Sequence, residues 1–151
     1  MNSIIDSRKS KLVLSVDPGD STGLALWEQS GELLWTKKMP LEDFILWAEL
    51  SRYELPLSVV VCEDFTLRPR GGRNLNAKGN KLKASQGIGI AKTLAHGHGA
   101  KLVMQQPGIL RMAELHARVP HKSHQPDDVS AYLHGYYYFE TQGILSPKPL
   151  D

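Results

Sequence analysis

Three places in this sequence hold acids where a folded chain does not ordinarily leave them. Asp17 closes the run Leu12-Val13-Leu14-Ser15-Val16, and Glu63 closes Ser58-Val59-Val60-Val61-Cys62. Both runs are apolar and rich in β-branched residues, as buried strands are. A third group, Asp127-Asp128, follows His124-Gln125-Pro126 and opens a stretch of helical periodicity. A carboxylate at the end of a buried strand is held rigidly and half desolvated, which is costly unless it meets a cation. Two or three carboxylates with a histidine are suited to two hard divalent ions. Oxygen ligands favour Mg²⁺ or Mn²⁺, and the acids would repel one another without them. Two such ions roughly 4 Å apart clamp the attacking water and the leaving oxygen of a phosphodiester. The blander alternatives are that Asp17 only caps the turn Pro18-Gly19-Asp20-Ser21, and that Glu63-Asp64 is a solvated strand end.

The elements that must position these groups follow from the hydropathy pattern. Strands are predicted near residues 11–17, 23–28 and 32–38, an antiparallel meander. Pro40 opens a helical pattern that runs to about Tyr53, and Pro56 ends it. Ser58–Cys62 reads as a strand buried on both faces. From Thr66 to Asn80 the sequence TLRPRGGRNLNAKGN is polar, aperiodic and rich in Gly and Arg, and predicts a mobile loop. Lys81–His96 predicts a helix whose Gly87 and Gly89 allow close packing. A strand at Lys101–Met104, a helix at Pro107–Leu115, a loop at Arg118–Pro126 and a helix at Asp127–Phe139 complete the chain. That order implies an α/β fold: one domain over residues 1–151, with a mixed five-stranded sheet flanked by helices. In such a sheet the first and fourth strands can be parallel neighbours, which would bring Asp17 and Glu63 to one edge.

Charge distribution points to a partner. Nine of the 18 Lys and Arg lie between Phe65 and Ala113, a stretch with no Asp or Glu, so all 16 acids lie elsewhere. Within it, Arg68, Arg70, Arg73, Lys78, Lys81 and Lys83 form the densest run and are candidate contacts to a polyanion such as nucleic acid. A solvated loop is the plainer alternative. The single cysteine, Cys62, excludes an internal disulfide framework and fits a reducing compartment. No apolar run approaches a membrane span, so a soluble, cytoplasmic protein is expected. His96 and His98 read as an exposed helix end rather than a metal tract, and His116, His121 and His134 have no ligand spacing. Tyr136-Tyr137-Tyr138 could stack on bases, but on a helix the three point in different directions, and at least one belongs to the core.

With these motifs in view, the chain resembles the RuvC-type Holliday junction resolvases of the ribonuclease H-like superfamily, and its shortness is similar to the phage-encoded branch. VLSVDPGDSTGLALW resembles the family's first strand and hairpin with the first acid, Asp17. VVVCEDF resembles the strand ending in the second, Glu63. KLKASQGIGIAKTLA resembles the helix that carries much of the dimer interface. HKSHQPDDVSAYLHGYYYF resembles the last helix, where the family has two metal ligands spaced by three. On that spacing the resemblance makes His124 and Asp127 the third and fourth ligands. Asp127 is preferred to Asp128 because one helical turn brings it beside His124. The resemblance implies a metal-dependent endonuclease with two Mg²⁺ or Mn²⁺ per site. It would cut four-way junctions and possibly other branched DNA, as a homodimer whose two sites address opposite strands. Two other classes compete. DPGDSTG also looks like the phosphate loop of actin-like and sugar-kinase ATPases, which need a second domain to enclose ATP. A catalytically silent branched-DNA-binding module would not need four ligands.

Overall fold

The computed structural model describes residues 11–52, 54–65 and 78–150, with only the backbone for 78–81. The strands are β1 (Leu12–Asp17), β2 (Ser21–Glu28), β3 (Leu33–Pro40), β4 (Leu57–Glu63) and β5 (Lys101–Gln105), in the sheet order β3-β2-β1-β4-β5. β1 pairs antiparallel with β2, and β2 antiparallel with β3. β4 lies parallel to both β1 and β5. The expected mixed five-stranded sheet is therefore present, and its two central strands carry Asp17 and Glu63 at their carboxyl ends.

Helices cover both faces: α1 (Leu41–Ser51), α2 (Lys78–His98), α3 (Leu110–Ala117, led by a 3₁₀ turn at Pro107–Ile109) and α4 (Asp127–Thr141). Alternation along the strands divides the core in two. Leu12, Leu14, Val16, Val60 and Cys62 pack with Phe44, Ala48, Ile88, Ala91 and Leu94 of α1 and α2. Val13, Ala25, Trp27, Val59 and Val61 pack with Ala113 and Ala117 of α3 and Ala131, Leu133, Tyr136 and Phe139 of α4. Because both faces of β1 and β4 are covered, their apolar runs are continuous rather than alternating.

Some boundaries differ from the sequence reading. Pro40 ends β3 and stands as the N-cap of α1 rather than opening the helix, its φ of −58° and ψ of 155° being extended. The predicted loop over Thr66–Asn80 is cut short, since residues 78–80 are already the first turn of α2; the remainder lies outside the described residues. Gly87 does allow a close approach: a Cβ there would lie 2.7 Å from Pro18 Cβ, so α2 is wedged against the turn that follows Asp17. Gly89 has nothing within 4 Å and faces open space.

Close packing holds α4 on the sheet. Ser15 Oγ donates to Ala131 O at 2.7 Å and accepts from Trp27 Nε1 at 3.1 Å. A Cβ on Gly135 would lie 2.3 Å from that same indole nitrogen. Trp27 also stacks on Tyr132, with centroids 5.3 Å apart and planes at 19°. Tyr136 and Tyr138 are buried, and Tyr136 donates its hydroxyl to Ser146 O at 2.6 Å. These two tyrosines are core residues. Among the described residues no helix is long and apolar enough to cross a membrane.

Candidate functional site

The parallel pairing of β1 with β4 ends at Val16 opposite Cys62, so Asp17 and Glu63 are the next residues on neighbouring strands. Strand alternation decides which face they share. Val13, Val59 and Val61 face α4, and so by the same period of two do Asp17 and Glu63. Asp64 falls on the opposite parity and accepts from Gln106 Nε2 at 3.2 Å. It is separate from the pair.

Asp127 reaches the same place from the helix. It is the first residue of α4, after Pro126, where the helix dipole favours a negative charge. Its approach depends on a glycine. Gly23 pairs with Asp17 across β1 and β2, and a Cβ there would lie 1.8 Å from Asp127 O. No other residue type would let the first turn of α4 rest on the strand beside Asp17.

The electrostatics show how closely these acids are gathered. The Asp17 carboxyl is pushed up from 3.8 to about 7, first by burial and then by the negative charge of Glu63, with Asp127 adding to it. A hydrogen bond from the Ser130 side chain opposes the shift without cancelling it. Asp127 has its own counter-charge, Lys38 Nζ, 3.7 Å from Oδ2. Glu63 Oε2 lies 2.7 Å from Nε2 of His134, a fully buried residue. The Cys62 thiol, pushed up to about 12 by burial and by Glu63, is inert.

Asp17, Glu63 and Asp127 thus share one electrostatic neighbourhood, in which Lys38 offsets part of the negative charge. The donor set and its excess charge fit a hard divalent cation, which would relieve the repulsion that raises Asp17. Among the described residues no three His, Cys, Asp or Glu side chains stand close enough to hold one ion. The acids share a field without forming a closed coordination shell. His124 is exposed in the loop before α4. That loop is tied to α3 through buried Glu114, which accepts from Gln125 Nε2 at 2.9 Å and lies 2.6 Å from His121 Nδ1. Asp128 is half-buried.

Of the basic candidates, Arg68, Arg70 and Arg73 lie outside the described residues, as do the side chains of Lys78 and Lys81 on the first turn of α2. Lys83 pairs with Asp20, tying α2 to the turn after Asp17. Sequence reasoning missed Lys38, Ser130, His134 and Gln105. A signal existed for two of them: Ser130 and His134 follow Asp127 by three and seven residues, the spacing of a single helix face. Lys38 and Gln105 have no such mark, because only strand pairing brings them near.

No family model and no curated protein sequence matches the chain. Solved structures do. Thermus thermophilus RuvC in complex with Holliday junction substrate superposes with a TM-score of 0.61 at 12% identity, covering 91% of this chain and 99% of its own. A second Thermus thermophilus RuvC structure gives 0.55 at 14%, with the same coverage. The fold of this chain is RuvC-like, of the ribonuclease H-like kind, as its sheet order and flanking helices require.

Proposed function

We propose that this protein is a divalent-metal-dependent endonuclease that resolves Holliday junctions, of the short form similar to phage-encoded resolvases, acting on DNA inside the cell. The observation that carries the reading is the convergence of Asp17, Glu63 and Asp127 at the carboxyl ends of two parallel strands. It occurs in a fold shared with a protein solved on a Holliday junction substrate. Asp17, Glu63, His124 and Asp127 would hold two Mg²⁺ or Mn²⁺ per site. Bound ions would supply an activated water and charge neutralisation at the phosphodiester.

The chain's own residues account for the rest. Asp17, with its pKa near 7, is partly protonated at neutral pH and must release that proton to become a ligand, so metal binding is coupled to pH. Lys38 supplies a cation beside Asp127 that can meet a phosphate oxygen. Arg68, Arg70, Arg73, Lys78, Lys81 and Lys83 would follow the phosphate backbone of the branched DNA. The homodimer belongs to this proposal, since two sites must address opposite strands of one junction. Exposed Ile45, Leu46 and Leu50 on α1 and Leu82 on α2 support it as apolar side chains left open to association.

Labelled four-way junctions, forks, flaps and linear duplexes incubated with Mg²⁺, with Mn²⁺ or with EDTA test the reading. Paired nicks in the junction that require metal are expected. Asp17→Asn and Glu63→Gln should abolish nicking while junction binding survives, because removing negative charge near phosphates does not weaken backbone contacts. Nicking at near wild-type rate by either variant would overturn the assignment.

A further inference from the structure

Glu63 is held by a residue that the set of metal ligands leaves out. His134 is 0% exposed, and its ring is gripped from both sides: Nδ1 lies 2.8 Å from Gln105 Oε1 and Nε2 lies 2.7 Å from Glu63 Oε2. Burying an imidazole is costly unless its nitrogens find partners. An ionised carboxylate only accepts, so Nε2 carries a proton and donates it to Glu63. The amide of Gln105 can present its oxygen or its NH₂ to Nδ1. A neutral ring that donates Nε2–H to Glu63 accepts at Nδ1, which calls for the Gln105 NH₂ there.

The three residues come from three elements. Glu63 and Gln105 are register partners at the ends of β4 and β5. His134 stands seven residues, close to two turns, after Asp127 on α4. A single helix therefore delivers Asp127 to the acid group at its first turn and fixes Glu63 from two turns deeper. Nothing in a purely apolar core calls for this chain of contacts, since a leucine at 134 would fill the space without needing Gln105 or an acid beside it.

We propose that His134 is a positioning residue of the candidate site: it fixes Oε2 of Glu63, leaving Oε1 to face a divalent cation, while Gln105 sets the ring. The proposal rests on the metal-dependent reading above. Partners that orient a metal ligand are typically worth about 10–100-fold in metal affinity or activity. His134 should fall in that range, because a Glu63 side chain freed from it regains its rotamers and must lose them again to bind.

Mn²⁺ binding to the DNA-free protein, followed by electron paramagnetic resonance, is compared for wild type, His134→Leu, His134→Gln and Gln105→Ala. Thermal melting, junction affinity and nicking rates are measured alongside. His134→Leu should weaken Mn²⁺ binding about 10–100-fold and lower kcat with junction affinity unchanged. Gln105→Ala should do the same to a smaller degree. His134→Gln, which keeps an N–H donor, should recover most of the loss. A lower melting temperature with unchanged Mn²⁺ affinity in either His134→Leu or Gln105→Ala would reduce His134 to a core residue and overturn the proposal. Should His134→Leu fail to fold, Gln105→Ala decides alone. A wild type that binds Mn²⁺ but does not nick junctions refutes the resolvase reading and leaves this test standing. A wild type that binds no Mn²⁺ overturns both.

Discussion

Asp17→Asn should make the metal-free protein more stable, and by an amount that depends on pH. The folded pKa of Asp17 is about 7 against an ordinary 3.8, raised first by burial and then by Glu63. A carboxyl with a raised folded pKa binds more protons in the native state than in the unfolded one. Stability contributed by this group is therefore highest at low pH and falls as pH rises from about 4 to about 7, then stays flat. At about 1.4 kcal/mol per pKa unit the full shift corresponds to roughly 4 kcal/mol, and the part shared with Glu63 and Asp127 brings the expected range to roughly 2–4 kcal/mol. Urea unfolding of wild type and Asp17→Asn in EDTA, at several values between pH 4 and pH 8.5, measures it. The difference between the two proteins cancels the other titrating groups. The variant should gain nothing at pH 4 and most above pH 7, and Mg²⁺ should close the gap by stabilising wild type alone. A difference that is constant across pH, or that grows toward acid, would refute the argument that unneutralised charge is stored at this strand end.

Four further outcomes are expected. Gly23→Ala should destabilise the fold by about 3 kcal/mol or more in chemical unfolding, because its Cβ would lie 1.8 Å from Asp127 O and must push α4 off the strand; an unchanged midpoint would mean that α4 shifts freely. Asp127→Asn should lose nicking while Asp128→Asn stays mild, since one residue along the helix turns a side chain by about 100°. His124→Ala should lose most activity, and His124→Asp should keep it with a shift toward Mg²⁺, because an imidazole favours Mn²⁺ relative to oxygen ligands alone; an indifferent His124→Ala removes the histidine from the site. Replacing any of Arg68, Arg70, Arg73, Lys78, Lys81 or Lys83 by Ala should lower the slope of log affinity against log salt by about one unit for each residue that meets a phosphate. An unchanged slope in the sixfold variant would return them to a solvated surface.

Local pattern determined a good deal of this molecule. The β-branched runs that end in Asp17 and Glu63 declare themselves as buried strands, and Pro126 followed by two acids declares the start of α4. These are short-range properties, written in alternation and capping within a few residues. Even the shared face of Asp17 and Glu63 follows once the pairing of β1 with β4 is known, because the side-chain period is two. That pairing, and everything that depends on it, belongs to the tertiary structure. His134 had no ligand spacing in the sequence because its partners are Glu63, 71 residues away, and Gln105, 29 residues away. Lys38 became a neighbour of Asp127 only when β3 paired with β2 under α4. The raised pKa of Asp17 was likewise invisible, since it arises from burial by packed helices and from charges on two other elements. Periodicity reveals which way a side chain faces; only the packing of distant segments decides what it meets there.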